Sequence, residues 1–194
     1  MKPTISTKDL ISVGVFTVLY IVVVGVFGQL GALVPILQVL GPVYIPLLAG
    51  VVFMLFLTRV NRFGLVTALG FLVGLLVLAT GQSYWVAVLA LVLAPSADYI
   101  FKLGGYRKWP YTVAGYVVFS EMLIGTVIPL FFARPAFLNR LEGRHDAAWV
   151  RQLVDLTPSW MFGVMVAELA LGAVLGAYLG RRLLRKHFER AGIG

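Results

Sequence analysis

Long apolar runs separated by short polar breaks fill this chain, at residues 10–30, 42–57, 63–79, 84–103, 111–132 and 159–180. A helix needs about 20 apolar residues to cross a bilayer. The runs are continuous and do not alternate with period two, so they predict membrane helices and argue against the strands of a barrel. The second and third are short for a typical bilayer, which places their polar ends near the headgroups. The first follows Lys8, exceeds the roughly 7–15 residues of a signal-peptide core, and has no small-x-small cleavage pattern after it. It is expected to be a retained first span.

Two breaks carry more than a turn. Residues 31–41 are apolar but hold Pro35 and end at Gly41-Pro42, with Pro46 a turn later. Proline removes an amide donor and disfavours helix in the residue before it. The pattern predicts a broken segment ahead of the short second span, either a tight connection or a lid over a cavity. Residues 133–158 form the long loop. Within it, 146–156 places Trp149, Val150, Leu153 and Leu156 at helical spacing with Arg151, Gln152 and Asp155 between them. This predicts an amphipathic surface helix, with Trp149 able to drop into a cavity below.

Composition agrees with the pattern. Of 194 residues, 60% are apolar and 12% charged, with mean hydropathy +0.96, more hydrocarbon than a soluble domain of this size can hide. The reading is an all-α integral membrane protein, one six-helix domain over residues 1–194. Twelve of the sixteen cations sort to one side. They are Lys2 and Lys8, Arg59 and Arg62, Lys102, Arg107 and Lys108, and Arg181, Arg182, Arg185, Lys186 and Arg190 in the tail. The positive-inside rule makes that side cytoplasmic and puts both termini there. Arg134, Arg140, Arg144 and Arg151 fall outside, offset by Glu142, Asp146 and Asp155. The net charge of +8 therefore follows membrane topology and does not point to nucleic acid. With no cysteine, disulfides, thiol catalysis and thiolate metal sites are excluded.

Acids inside apolar spans are costly and usually face an interior or a cavity. Glu121 lies midway along the fifth run and Glu168 near the middle of the sixth, at similar depth from the outer ends. Together they would bind a substrate amine, a metal or a proton; separately, each would be a protonated packing group. Asp98 is expected to pair with Lys102 one turn on. The outer turns Thr80-Gly81-Gln82-Ser83-Tyr84-Trp85 and Leu156-Thr157-Pro158-Ser159-Trp160 open the fourth and sixth spans. Their aromatic residues are ordinary interfacial anchors, or Gln82, Tyr84, Trp85 and Trp160 line one mouth. Gly172, Gly176 and Gly180 recur at four-residue spacing, as do Gly70 with Gly74 and Ala90 with Ala94, which lets helices approach closely. No nucleotide-binding loop or His-Glu metal motif occurs, and His145 and His187 lie outside the runs.

Four segments carry a resemblance. They are Ser6-Thr7-Lys8-Asp9-Leu10-Ile11-Ser12-Val13-Gly14-Val15-Phe16-Thr17, Phe53-Met54-Leu55-Phe56-Leu57-Thr58-Arg59-Val60, Leu156-Thr157-Pro158-Ser159-Trp160, and the ending from Leu179-Gly180-Arg181-Arg182 through Ala191-Gly192. The chain resembles, nearly end to end, the Trep_Strep (MptD-type) family of substrate-binding (S) components of energy-coupling factor (ECF) transporters. The resemblance implies a six-helix S component that captures a scarce nutrient outside. It would work with a transmembrane T component and two cytoplasmic ATPases, toppling in the membrane to release its cargo. ATP would be used by those partners, with no cofactor in this chain. S components meet the T component through a small-xxx-small patch in the first helix. Here the counterpart is Gly14-xxx-Val18, whose second position is not small, leaving Ser12, Gly14 and Thr17 as contact candidates. They hold substrate towards the outer ends of helices four to six, under the loop joining the first two. That implies Gln82, Tyr84, Trp85, Glu121, Trp160 and Glu168, with Gln38 in the lid.

Two functions are thus expected of a protein of the prokaryotic cell membrane. The first is a substrate-capture subunit of an ECF-type importer for a vitamin-like compound or other micronutrient. The second is a self-sufficient proton-coupled carrier using Glu121 and Glu168. An enzyme is not expected, because no nucleophile–base pair or metal cluster is visible.

Overall fold

A computed structural model describes residues 6–190, with side chains to 185. Lys2 lies outside the described residues, as do the side chains of Lys186, His187 and Arg190. Nine α-helices and no strand occur among the described residues: α1 Thr7–Gly28, α2 Pro35–Arg59, α3 Leu65–Ala79, α4 Trp85–Leu103, α5 Trp109–Ser120, α6 Ile128–Phe132, α7 Arg134–Glu142, α8 Ala147–Leu156 and α9 Met161–Arg190. Two 3-10 segments, Gln29–Ala32 and Glu121–Thr126, extend α1 and α5. Four stretches are long and apolar enough to cross a membrane: Thr7–Ala32, Pro35–Arg59, Trp85–Leu103 and Met161–Arg185. Large apolar side chains stand exposed along the bundle, among them Ile11, Val18, Val26, Leu75, Leu91 and Val92. Such a belt is what lipid covers.

The second helix is longer than its apolar run predicts. It starts at Pro35 and carries Pro42 and Pro46 inside, so the expected break over 31–41 shrinks to the two residues after the 3-10 turn. Pro35 suits a first helical turn, where no amide partner is needed. The inner prolines leave the carbonyls of Gln38 and Pro42 without their i+4 donors, which a helix tolerates when neighbours pack against it. The packing comes from α9. A Cβ on Gly172 would strike the Val43 carbonyl and Pro46, and one on Gly176 would meet Leu47 Cα at 2.9 Å. A Cβ on Gly180 would lie 2.9 Å from the Gly50 carbonyl oxygen and the Met54 side chain. The glycine ladder is therefore an intramolecular seam against the proline-bearing helix. The second ladder works the same way: Gly70 of α3 faces Ala94 of α4, and Gly74 faces Ala87 and Ala90.

Between the seams lies an aromatic cluster. Phe53 is surrounded by Tyr20, Phe56, Phe101, Tyr116 and Phe119, with ring centroids 4.6–6.3 Å away. The Tyr116 hydroxyl donates to the Pro46 carbonyl at 2.6 Å.

The fifth run is not one helix. It breaks into 3-10 geometry at Glu121 and resumes at Ile128. Pro129 removes the donor that the Gly125 carbonyl would use in a continuous helix. The Ser83 hydroxyl donates to that carbonyl instead, at 2.6 Å. Gly125 also sits so close to the start of α4 that an added Cβ would meet the Trp85 carbonyl carbon at 2.7 Å. The break thus docks the fifth segment on α4.

The stretches expected to be basic and co-sided meet at one end of the bundle. Arg62 pairs with Asp9 at 3.0 Å, Lys102 lies over the Phe63 ring at 5.2 Å, and Arg181 over Trp109 at 4.4 Å. Asp98 is fully buried there, and the expected pair with Lys102 does not form. Its carboxylate accepts from the Gly64 amide at 2.8 Å, the Thr67 amide and hydroxyl at 3.0 Å, and the Tyr106 hydroxyl at 2.7 Å. Gly64, at φ 102°, cannot cap α3 with a side chain, so Asp98 caps that N-terminus from a neighbouring helix. Burial, with Asp98 beside it, pushes the Tyr106 hydroxyl well above its ordinary pKa.

Candidate functional site

The opposite end is built differently. Helix α8 begins with Asp146, whose carboxylate accepts from the Trp149 amide at 2.7 Å. Its apolar face seats Val150 and Leu153, while Leu156 remains partly exposed. Leu153 packs with Val39 of α2 and Leu130 of α6. Helix α7, which the apolar pattern does not predict, is tied to α8 by Arg134. One Nη donates to the Thr157 carbonyl and hydroxyl, at 2.7 and 2.8 Å, and to the Val154 carbonyl at 3.3 Å. A guanidinium on the last carbonyls of a helix is a favourable C-terminal partner.

Beneath α7 and α8 the bundle encloses a cavity of about 290 Å³. Apolar side chains come from deeper turns, with Ile21 and Val24 of α1, Ile45 of α2 and Leu169 of α9. Polar groups reach it from several elements: Gln29, Gln38, Tyr44, Thr80, Gln82 and Thr126. Arg140, Arg144, His145 and Trp149 close one side. Tyr44 donates its hydroxyl to the Leu37 carbonyl at 3.1 Å. Thr80 and Thr126 donate theirs to carbonyls three residues back, at 2.6 and 2.8 Å. His145 stacks on Trp149, ring centroids 4.0 Å apart and planes 14° apart. The Trp149 Nε1 is buried without a hydrogen-bond partner. An apolar interior with a few convergent polar groups is the usual make-up of a small-molecule pocket, and this volume is at the small end of the roughly 300–1,000 Å³ range.

Of the site residues expected from sequence, Gln38, Gln82 and Trp149 line this cavity. Tyr84 and Trp85 stack on each other, 5.0 Å between centroids. Trp160 is 69% exposed. These three do not line the cavity; Tyr84 and Trp160 are exposed and Trp85 is half-buried. Glu121 opens the 3-10 segment and Glu168 is half-buried on α9, each beside the lining without joining it. No hydrogen bond joins the two carboxylates, and Glu168 Oε2 is buried without a partner. Among the contact candidates on α1, Gly14 is exposed with open space around it. Thr17 is buried and donates its hydroxyl to the Val13 carbonyl at 2.8 Å, and Ser12 donates to the Lys8 carbonyl at 3.0 Å. Gln29, Tyr44, Arg140, Arg144 and His145 are lining residues that the runs did not single out. The signal was the pairing of the few cations on this side with a tryptophan-bearing amphipathic helix.

An all-helical bundle with an apolar belt and a cavity at one end defines a multi-pass integral membrane protein. Residues 7–190 match the family described as hypothetical bacterial integral membrane protein (Trep_Strep), and the chain belongs to that family. No curated protein and no solved structure matches the chain.

Proposed function

We propose that this protein is the substrate-capture (S) component of an ECF-type importer, holding a vitamin-like compound or other micronutrient in the cavity beneath α7 and α8. The observation that carries the reading is that cavity, lined by six α-helices and both 3-10 segments at the end of the bundle away from the basic stretches. In this proposal α3 and the α5–α6 segment also cross the membrane, giving six spans. Both termini are cytoplasmic and the cavity opens outside, which the gathering of Arg62, Lys102 and Arg181 at the other end supports. The chain shows no nucleotide-binding loop, so transport needs a T component and two ATPases as partners. The exposed face of α1 around Gly14 suits a contact with the T component.

A self-sufficient proton-coupled carrier finds less support. Glu121 and Glu168 stand outside the lining, so neither is placed to couple its proton to a bound solute.

The test is isolation of the tagged protein from bacterial membranes in mild detergent, followed by reconstitution. Co-purification of a T component and two ATPases, with uptake only when ATP is supplied, is the expected result. Uptake by the chain alone on a pH gradient, lost in Glu168→Gln, overturns the reading.

A further inference from the structure

The cavity lining has a charge pattern that sharpens the substrate class, on the reading above that this is the capture site. No carboxylate lines it, while two guanidiniums do, those of Arg140 and Arg144. Arg140 uses one Nη in a long 3.3 Å bond to the Gly81 carbonyl, which leaves its other N–H groups uncommitted. The Trp149 Nε1 adds a buried donor that nothing among the described residues accepts from. Arginine and indole are donor-only groups. A guanidinium matches the planar oxygens of a carboxylate or phosphate.

The acids of the same segment are turned to other tasks. Asp146 is committed to the N-terminus of α8, and Glu142 and Asp155 are exposed and outside the lining. Facing the donors, the amides of Gln29, Gln38 and Gln82 make no hydrogen bond among the described residues and can both donate and accept. The volume of about 290 Å³ is close to the roughly 300 Å³ lower bound of small-molecule pockets. That is room for a solute of one or two rings.

We propose that the cavity selects a compact organic anion, whose acid group is received by Arg140, Arg144 and Trp149 while its apolar body rests against Ile21, Val24 and Leu169.

The test uses purified protein in phosphatidylcholine nanodiscs, whose headgroups carry no net charge, and four probes built on one ring: benzoate, phenyl phosphate, benzamide and benzamidine. Ligand-observed NMR ranks their affinities. At least one anion should bind tenfold or more tighter than benzamide and benzamidine. The stronger of the two tells carboxylate-bearing from phosphate-bearing solutes. Arg140→Gln with Arg144→Gln should reduce the preference below threefold at unchanged melting temperature. Arg144→Glu should turn it toward benzamidine, which keeps the test open if the double variant folds poorly. Absence of anion binding, equal binding of the neutral or cationic probe, or a preference that survives the double variant overturns the proposal. Loss of the anion signal when phosphatidylglycerol replaces phosphatidylcholine also overturns it, by assigning the arginines to lipid headgroups. Partner retention on the same preparation separates the two readings. Partners without anion preference remove the substrate class alone, and anion preference without partners removes the importer alone.

Discussion

The seam and the mouth of this bundle use the same residue types to opposite effect. Along the α2–α9 seam, glycines bring backbones together until no Cβ fits, and Gly172, Gly176 and Gly180 face Val43, Pro46, Leu47 and Gly50. At the α7–α8 end, α1 finishes in a 3-10 turn and the fifth segment passes through one before α6, and short helices roof a space that side chains do not fill. Proline marks both regions. In α2 it is absorbed by close packing, whereas at Pro129 it frees a carbonyl for Ser83 and interrupts a helix. A rigid seam next to a partly open mouth is the division expected of a protein that binds a solute at one end while keeping its bundle intact.

That contrast can be broken at the seam first. Gly176→Leu places branched carbon against the backbone of Leu47, which cannot retreat as a side chain can. A loss of about 3 kcal/mol or more is expected, read as aggregation or a collapsed melting temperature in detergent. Wild-type melting would show that α2 and α9 separate easily.

Asp98→Ala should come next, at about 3 kcal/mol, because it strips four donors of a buried partner. Circular dichroism melting checks it, and a change under about 1 kcal/mol would mean water replaces the carboxylate. Arg134→Met should cost about 1–2 kcal/mol by releasing α7 from the end of α8. Its clearer sign is faster hydrogen exchange in 147–156 with the seam unaltered. Smallest of all, Gln38→Ala should shift stability by less than about 0.5 kcal/mol while weakening solute binding severalfold. A large stability loss there would make Gln38 a scaffold residue.

Sequence revealed the seam more fully than the mouth, for a physical reason. Four-residue spacing of Gly and Ala is a local pattern, and it named both ladders, although their partner helices follow only from the fold. The site depends on which side chains converge, and apolar runs carry no such information. The intramembrane acids drew attention because charge in lipid is costly, yet the lining took Gln38, Gln82 and Trp149 and passed over Glu121 and Glu168. Pro42 and Pro46 signalled a break that α9 packing overrides, and the same residue type at 129 signalled one that was not read. Asp98 was legible as structural, but its partners are Gly64 and Thr67 at the start of α3 and Tyr106 eight residues on, so no i,i+4 rule finds them.

The central claim is that the cavity opens to the outside and is occupied there by a solute. The chain has no cysteine, so single cysteines report cleanly on access. In intact cells, a membrane-impermeant maleimide should label Gln38→Cys and Gln82→Cys from outside. Labelling of Gln38→Cys should slow when benzoate or phenyl phosphate is present, and Lys108→Cys should react only after the cells are opened. Labelling of Lys108→Cys in intact cells, with Gln38→Cys reached only from within, would contradict the account.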